Sequence, residues 1–142
     1  VVASFSTYGC LSGSMIVCSY TGVDVHGNVG NADGSDTTPT CSVTTTVANA
    51  YVAGSVAGLN VGAQTLSPGS GITERADFTA AGPYTNDDQR VAAMDKAVAS
   101  AGATTFDATL SASANWAISA VELKPVATAG GKPALYYAMM AN

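Results

Sequence analysis

Apolar and polar positions alternate in short runs along this chain, and Gly, Ser, Asn, Asp or Pro breaks almost every run. Trp116, Ile118, Ala120 and Glu122 fall on one side of an extended segment, with Ala117, Ser119, Val121 and Leu123 on the other. Val43, Thr45 and Val47 oppose Ser42, Thr44 and Thr46 in the same way. A period of two belongs to a strand with one face on a core. The pattern predicts strands at 2–8, 15–21, 42–48, 50–57, 64–66, 73–80, 90–98, 104–110, 116–123 and 134–140. Many short strands between turn residues imply an all-β fold, here a two-sheet jelly-roll-like sandwich of about nine or ten strands.

Two segments depart from that pattern. Thr85 with Asp88 forms a capping-box start, and Val91, Met94 and Val98 follow at helical spacing, so local propensity alone calls for a helix over 87–98. The surrounding strand signals favour an extended segment, because tertiary context overrides propensity. The other departure is at the C-terminal side. Residues 1–125 account for the sandwich, and 126–133 (VATAGGKP) form a small-residue linker. Residues 134–142 then bring an apolar run with Leu135, Tyr136, Tyr137, Met139 and Met140, apolar on both alternating faces. Such a run is expected to pair with a sheet edge, its own or a neighbour's, with Gly130 and Gly131 as the hinge.

Composition narrows the function classes. Charged residues make up 11% of the 142-residue chain and apolar ones 47%, which suits an extracellular β-protein better than a cytosolic enzyme. The net charge is -5 and the five basic residues are scattered, so no basic stripe exists for nucleic acid. No apolar run reaches the ~18 residues of a membrane span, and no basic leader opens the sequence, as expected of a mature secreted chain.

Candidate chemistry is sparse. Asp24, Asp33 and Asp36, with Asn28 and Asn31, crowd a Gly-rich stretch read as a loop, an oxygen-rich set for calcium or a self-bonded solvated turn. His26 is the only histidine, no nucleophile elbow accompanies it, and an exposed loop histidine is the plainer reading. Glu74 and Glu122 are the only glutamates, each inside a predicted strand, and Glu74-Arg75 with Asp95-Lys96 reads as cross-strand ion pairing. These residues predict no enzyme and no cofactor beyond calcium. Three cysteines allow one disulfide; a turn at Cys10 and a strand start at Cys41 favour that pair, with Cys18 a packed thiol and three free thiols the alternative. Trp116 reads as core packing, and Tyr84 as the aromatic better placed for a glycan.

The segments TTTVANAYVAGSVAG (44–58), GITERADF (71–78), MDKAVASAGATTFDATLSASANWAISAVELKP (94–125) and MIVCSYTGVD (15–24) resemble β-sandwich units of bacterial secreted and cell-surface proteins in the concanavalin A-like jelly-roll group. The resemblance covers about two-thirds of the chain, is structural rather than catalytic, and implies a strand at 90–98. It departs from that pattern in phase: leading strands are missing before VVASFSTY, and LYYAMMAN stands at the other end, as in a permuted or strand-exchanging unit. The expectation is a non-enzymatic extracellular subunit that self-associates head to tail into a surface fibre or pilus-like filament by C-terminal strand complementation. The alternatives are a carbohydrate-binding or adhesion module, calcium-dependent through Asp24, Asp33 and Asp36, and a phage or virion decoration domain.

Overall fold

The computed structural model describes residues 15–59, 64–80 and 88–127. These residues form strands and turns with no helix: β1 (Val23–Asp36), β2 (Thr40–Thr45), β3 (Ala50–Leu59), β4 (Leu66–Pro68), β5 (Thr73–Ala80), β6 (Gln89–Val98), β7 (Gly102–Leu110) and β8 (Ala114–Pro125). All pairings are antiparallel, in one sheet of order β1-β8-β3-β6-β5 and one of order β2-β7-β4. The nested pairs β1–β8, β2–β7 and β3–β6 are the wrapping of a jelly-roll-like sandwich. Two of the predicted strands, 2–8 and 134–140, lie outside the described residues.

The alternation seen in the sequence sets which side chains meet between the sheets. From β8, Ala114, Trp116, Ile118, Ala120 and Glu122 turn inward. Cys41, Val43 and Thr45 of β2 face them, as do Phe106, Ala108 and Leu110 of β7. Val52 and Val56 of β3 and Ala92 and Met94 of β6 complete the core. Asn49 turns the chain from β2 into β3 at a φ of 56°, a left-handed conformation that asparagine adopts more readily than most residues.

Three sequence expectations are corrected here. Residues 15–19 are not a strand; only Tyr20 makes an isolated bridge, and the segment crosses the outer face of the large sheet beside Ala53, Val91 and Ala93. The Asp24–Asp36 stretch is not a loop but the longest strand, β1, kinked by register shifts between Val23 and Val25 and between His26 and Val29. Its glycines are there for close approach. A side chain at Gly27 would strike the Glu122 carboxylate, one at Gly30 the Ser42 carbonyl, and one at Gly34 the Trp116 ring. Composition alone reads such a segment as a turn; the neighbours that need its missing side chains make it a strand. Finally, Cys41 is a free thiol buried on the inner face of β2, so the Cys10–Cys41 disulfide is not formed. Pleat parity points its sulfur into the core, where burial raises the thiol pKa and it packs as a small hydrophobe. Cys10 itself lies outside the described residues.

The 87–98 ambiguity resolves as strand β6. Ala92, Ala93, Met94 and Asp95 are all buried, on both faces, between β3 and β5, an environment one amphipathic helix face cannot supply. The glycine contacts set up a direct comparison. Gly30→Ala is expected to lower unfolding stability by roughly 1–3 kcal/mol, the usual cost of overpacking. Gly58→Ala, where an added Cβ meets Leu110 at an ordinary 3.4 Å, should shift stability by no more than about 1 kcal/mol in the stabilising direction. Urea unfolding of the two variants checks the contrast.

Candidate functional site

The strongest polar centre is Glu122, fully buried on the inner face of β8. Its carboxylate accepts the Thr46 amide at 2.6 Å, the Thr46 hydroxyl at 3.1 Å, and the Val47 and Asn28 amides at 3.3 Å. Burial disfavours the charge, but the donated hydrogen bonds outweigh it, and the pKa lies below the usual glutamate range. Three parts of the chain, β1, the β2–β3 turn and β8, are joined at that one group. Asn28 adds a side-chain amide bond to the Thr44 carbonyl at 2.7 Å.

A second centre sits on the outer face of the large sheet. Asp95 is 1% exposed and receives a two-pronged contact from Arg75, Nε at 2.7 Å and a terminal guanidinium nitrogen at 2.8 Å. The Tyr20 hydroxyl donates to the same carboxylate at 3.0 Å. The pairing of 74–75 with 95–96 expected from the sequence is therefore made by Arg75 and Asp95, across the register shift between Glu74 and Ala76. Burial first, and then the Asp95 charge, push the Tyr20 phenol well above its ordinary pKa. A third group joins Asp77 to Arg90, which also donates to the Gln64 carbonyl at 2.9 Å.

The remaining candidates are dispersed. Asp24, Asp33 and Asp36 lie along β1, and no group of three or more His, Cys, Asp or Glu side chains comes together among the described residues. Asp36 accepts the Thr38 amide at 2.7 Å and the Trp116 indole N–H at 3.0 Å, contacts that hold its pKa below the usual range. That bond, with 8% exposure, makes Trp116 a core residue and not a platform for sugar rings. His26 is exposed on β1 opposite Leu123. Glu74 and Glu122 sit on β5 and β8, three strand spacings or roughly 14 Å apart in the sheet order, wider than the carboxyl pair of a glycosidase. Tyr84, Gly130, Gly131 and the run Leu135, Tyr136, Tyr137, Met139 and Met140 lie outside the described residues.

Strand edges are the other feature that bears on function, and sequence reasoning had no means of ranking them. A sheet edge attracts another strand unless bulges, charges, proline or a covering segment blunt it. β1 carries two register shifts with Asp24 and Asp33, and β5 one shift beside Glu74, Arg75 and Asp77. The outward carbonyls of β2 are covered, Thr44 by Asn28 and Ser42 by the backbone at Gly30. β4 has three residues and stops at Pro68. The small sheet therefore ends early and leaves part of β7 without a neighbour on that side among the described residues. Apolar side chains also stay exposed outside the core, among them Val17, Val25, Val29 and Phe78. No protein-family model, curated protein or solved structure matches this chain.

Two pH effects follow from these centres. Glu122 has its folded pKa below the ~4.3 of an unfolded glutamate, so its contribution is complete above that value and is lost as pH falls through the folded one. Glu122→Gln should lower stability at pH 7 by roughly 1–3 kcal/mol and flatten the acid limb, read by urea midpoints at pH 3 and pH 7. Tyr20 behaves oppositely: its folded pKa is raised, so its contribution is present below about pH 10 and is lost as pH rises further. Tyr20→Phe should remove that alkaline loss in midpoints taken at pH 9 and pH 11.

Proposed function

We propose that this chain is a non-enzymatic structural subunit of an extracellular fibre, assembled head to tail by addition of its C-terminal strand to a neighbouring sandwich. The observation that carries this reading is that, among the described residues, the two sheets are unequal, five strands against three, with the smaller one stopping at a three-residue strand. A sandwich whose described strands guard the other edges and leave one unfinished matches a chain that also carries an apolar run, Ala134–Met140, with no polar face to show to water. Strand addition satisfies both at once, through main-chain hydrogen bonds to the edge and side-chain pockets for alternate residues. The low charge content and the resemblance to cell-surface jelly-roll units support an extracellular setting. The carbohydrate-binding alternative gains no aromatic platform from Trp116, which is spent on the core.

The test uses the full chain. Tyr137→Pro removes a main-chain donor from the middle of the apolar run and leaves the sandwich residues untouched. Light scattering and electron microscopy should show concentration-dependent oligomers or filaments for the parent chain and monomers for the variant. A parent chain that stays monomeric up to millimolar concentration sinks the proposal.

A further inference from the structure

We infer that the acceptor for this strand is the free side of β7 from Gly102 to Phe106, and that its occupant is the Ala134–Met140 run of a second copy of the chain, an assignment that rests on the strand-exchange reading above. The parity of β7 is fixed on both sides. Toward β2, the Ala108 amide donates to the Pro39 carbonyl and the Leu110 amide to the Thr37 carbonyl, so even-numbered residues face β2. Toward β4, the Gly69 amide donates to the Asp107 carbonyl and the Ser111 amide to the Thr65 carbonyl, so odd-numbered residues face β4. β4 ends at Pro68, opposite Ala108. The main-chain groups of Ala103 and Thr105 therefore point out of the sheet on a side where no described strand lies. The Lys96 ammonium, reaching from β6, donates to the Thr105 carbonyl at 3.3 Å. It stands where the amide of an added strand would donate.

Among the described edges, β1 and β5 are bent and charged, β4 ends on a proline and β2 is covered by β1, whereas this stretch is covered by one side chain. Residues 102–106, Gly-Ala-Thr-Thr-Phe, contain no charge and no proline, and the pairing with β2 runs through them without a register shift. Lys96 is a removable cover, because a long flexible side chain swings aside at little cost where a bulge or a proline does not.

Direction favours the second copy over the first. β8 leaves the sandwich at the end where Leu123 pairs with Tyr51 and where the Val47 amide, just past the end of β2, reaches Glu122. Gly102 pairs with Thr45 at that same end, so β7 begins there. A strand returning directly from Ala127 would run parallel to β7, whereas all the described pairings are antiparallel. To dock antiparallel, the chain would first have to travel the slot's length of roughly 17 Å and also cross between sheets. The seven Cα steps from Ala127 to Ala134 extend at most about 25 Å, so that route would pull the connection almost straight. A second copy is free of that limit.

The decisive experiment pairs two full-chain variants. Thr105→Pro puts a ring on the open side and removes an amide that β2 does not use, so it blocks acceptance while leaving donation intact; Tyr137→Pro does the reverse. Each alone should be monomeric, and an equimolar mixture should form a dimer that grows no further. In assembled parent chain, hydrogen exchange at the Ala103 and Thr105 amides should slow at least tenfold relative to monomer, with Thr104 and Phe106 unchanged; this readout stands if Thr105→Pro does not fold. Thr105→Pro that polymerises like the parent while Tyr137→Pro is monomeric overturns the β7 assignment and leaves strand exchange standing. A mixture that stays monomeric overturns donation between copies at this edge. Polymers from Tyr137→Pro overturn both readings.

Discussion

The two sheets are locked along one flank by a single buried carboxylate. Glu122 lies on the central part of the fold, on a strand paired on both sides, and accepts donors from β1 and from the turn between β2 and β3. A buried charge is tolerable only when its lone pairs are filled, so this one dictates the backbone around it. Thr46 and Val47 must present their amides, Asn28 must present its own, and Gly27 must leave the space that the carboxylate occupies. The tight seating of β1 against β2, with Gly30 under the Ser42 carbonyl, continues the same joint. On the opposite flank, among the described residues, single cationic side chains make the joint: Lys96 donates to the Thr105 carbonyl and Arg90 to the Gln64 carbonyl. The sandwich is closed on one side and latched on the other.

Period-two alternation carried much of this architecture in plain sight. The inward sets of β8 and β2 agree with the pattern of apolar positions; β6, whose apolar residues fall at helical spacing and which is buried on both faces, was extended because of the strands around it. The Arg75–Asp95 pair was visible as adjacent charges on neighbouring strands. What alternation could not show was β1. Its residues are mostly exposed and its glycines answer to atoms far away in sequence, Glu122, Ser42 and Trp116. A strand whose identity is set by what it makes room for has no local signature. The same holds for Cys41, whose position after a loop suggested a staple while its pleat parity put the sulfur in the core. The Glu122 site was hidden for a related reason: its ligands are mainly backbone amides, which every sequence possesses and none advertises.

Edges are a property of the assembled sheets and not of any one strand. β7 has an ordinary strand sequence, and nothing in Gly102–Phe106 marks it as open. Among the described residues it is left without a neighbour on that side because β4 stops at Pro68, where the chain turns toward the large sheet. Ile72 and Gly69 make the tight turn between β4 and β5, and the chain then crosses from one sheet to the other. The crossing ends β4 opposite Ala108 and starts the fifth strand of the other sheet in a single step.

That coupling bears on how an acceptor edge can exist without aggregation. A free edge long enough to bind any strand is a hazard, and most of the edges here are bent, charged or covered. The β7 vacancy offers only the outward groups of Ala103 and Thr105, one of them held by Lys96. So few main-chain bonds give little affinity for an arbitrary strand; a partner must add side-chain burial to bind. In the proposed exchange, the apolar run 134–140 would supply such burial, and a polar edge strand from another protein would not. Selectivity in this arrangement comes from the shortness of the slot. A longer slot would bind more tightly and discriminate less, because the shared main-chain term would outweigh the side chains that distinguish one strand from another.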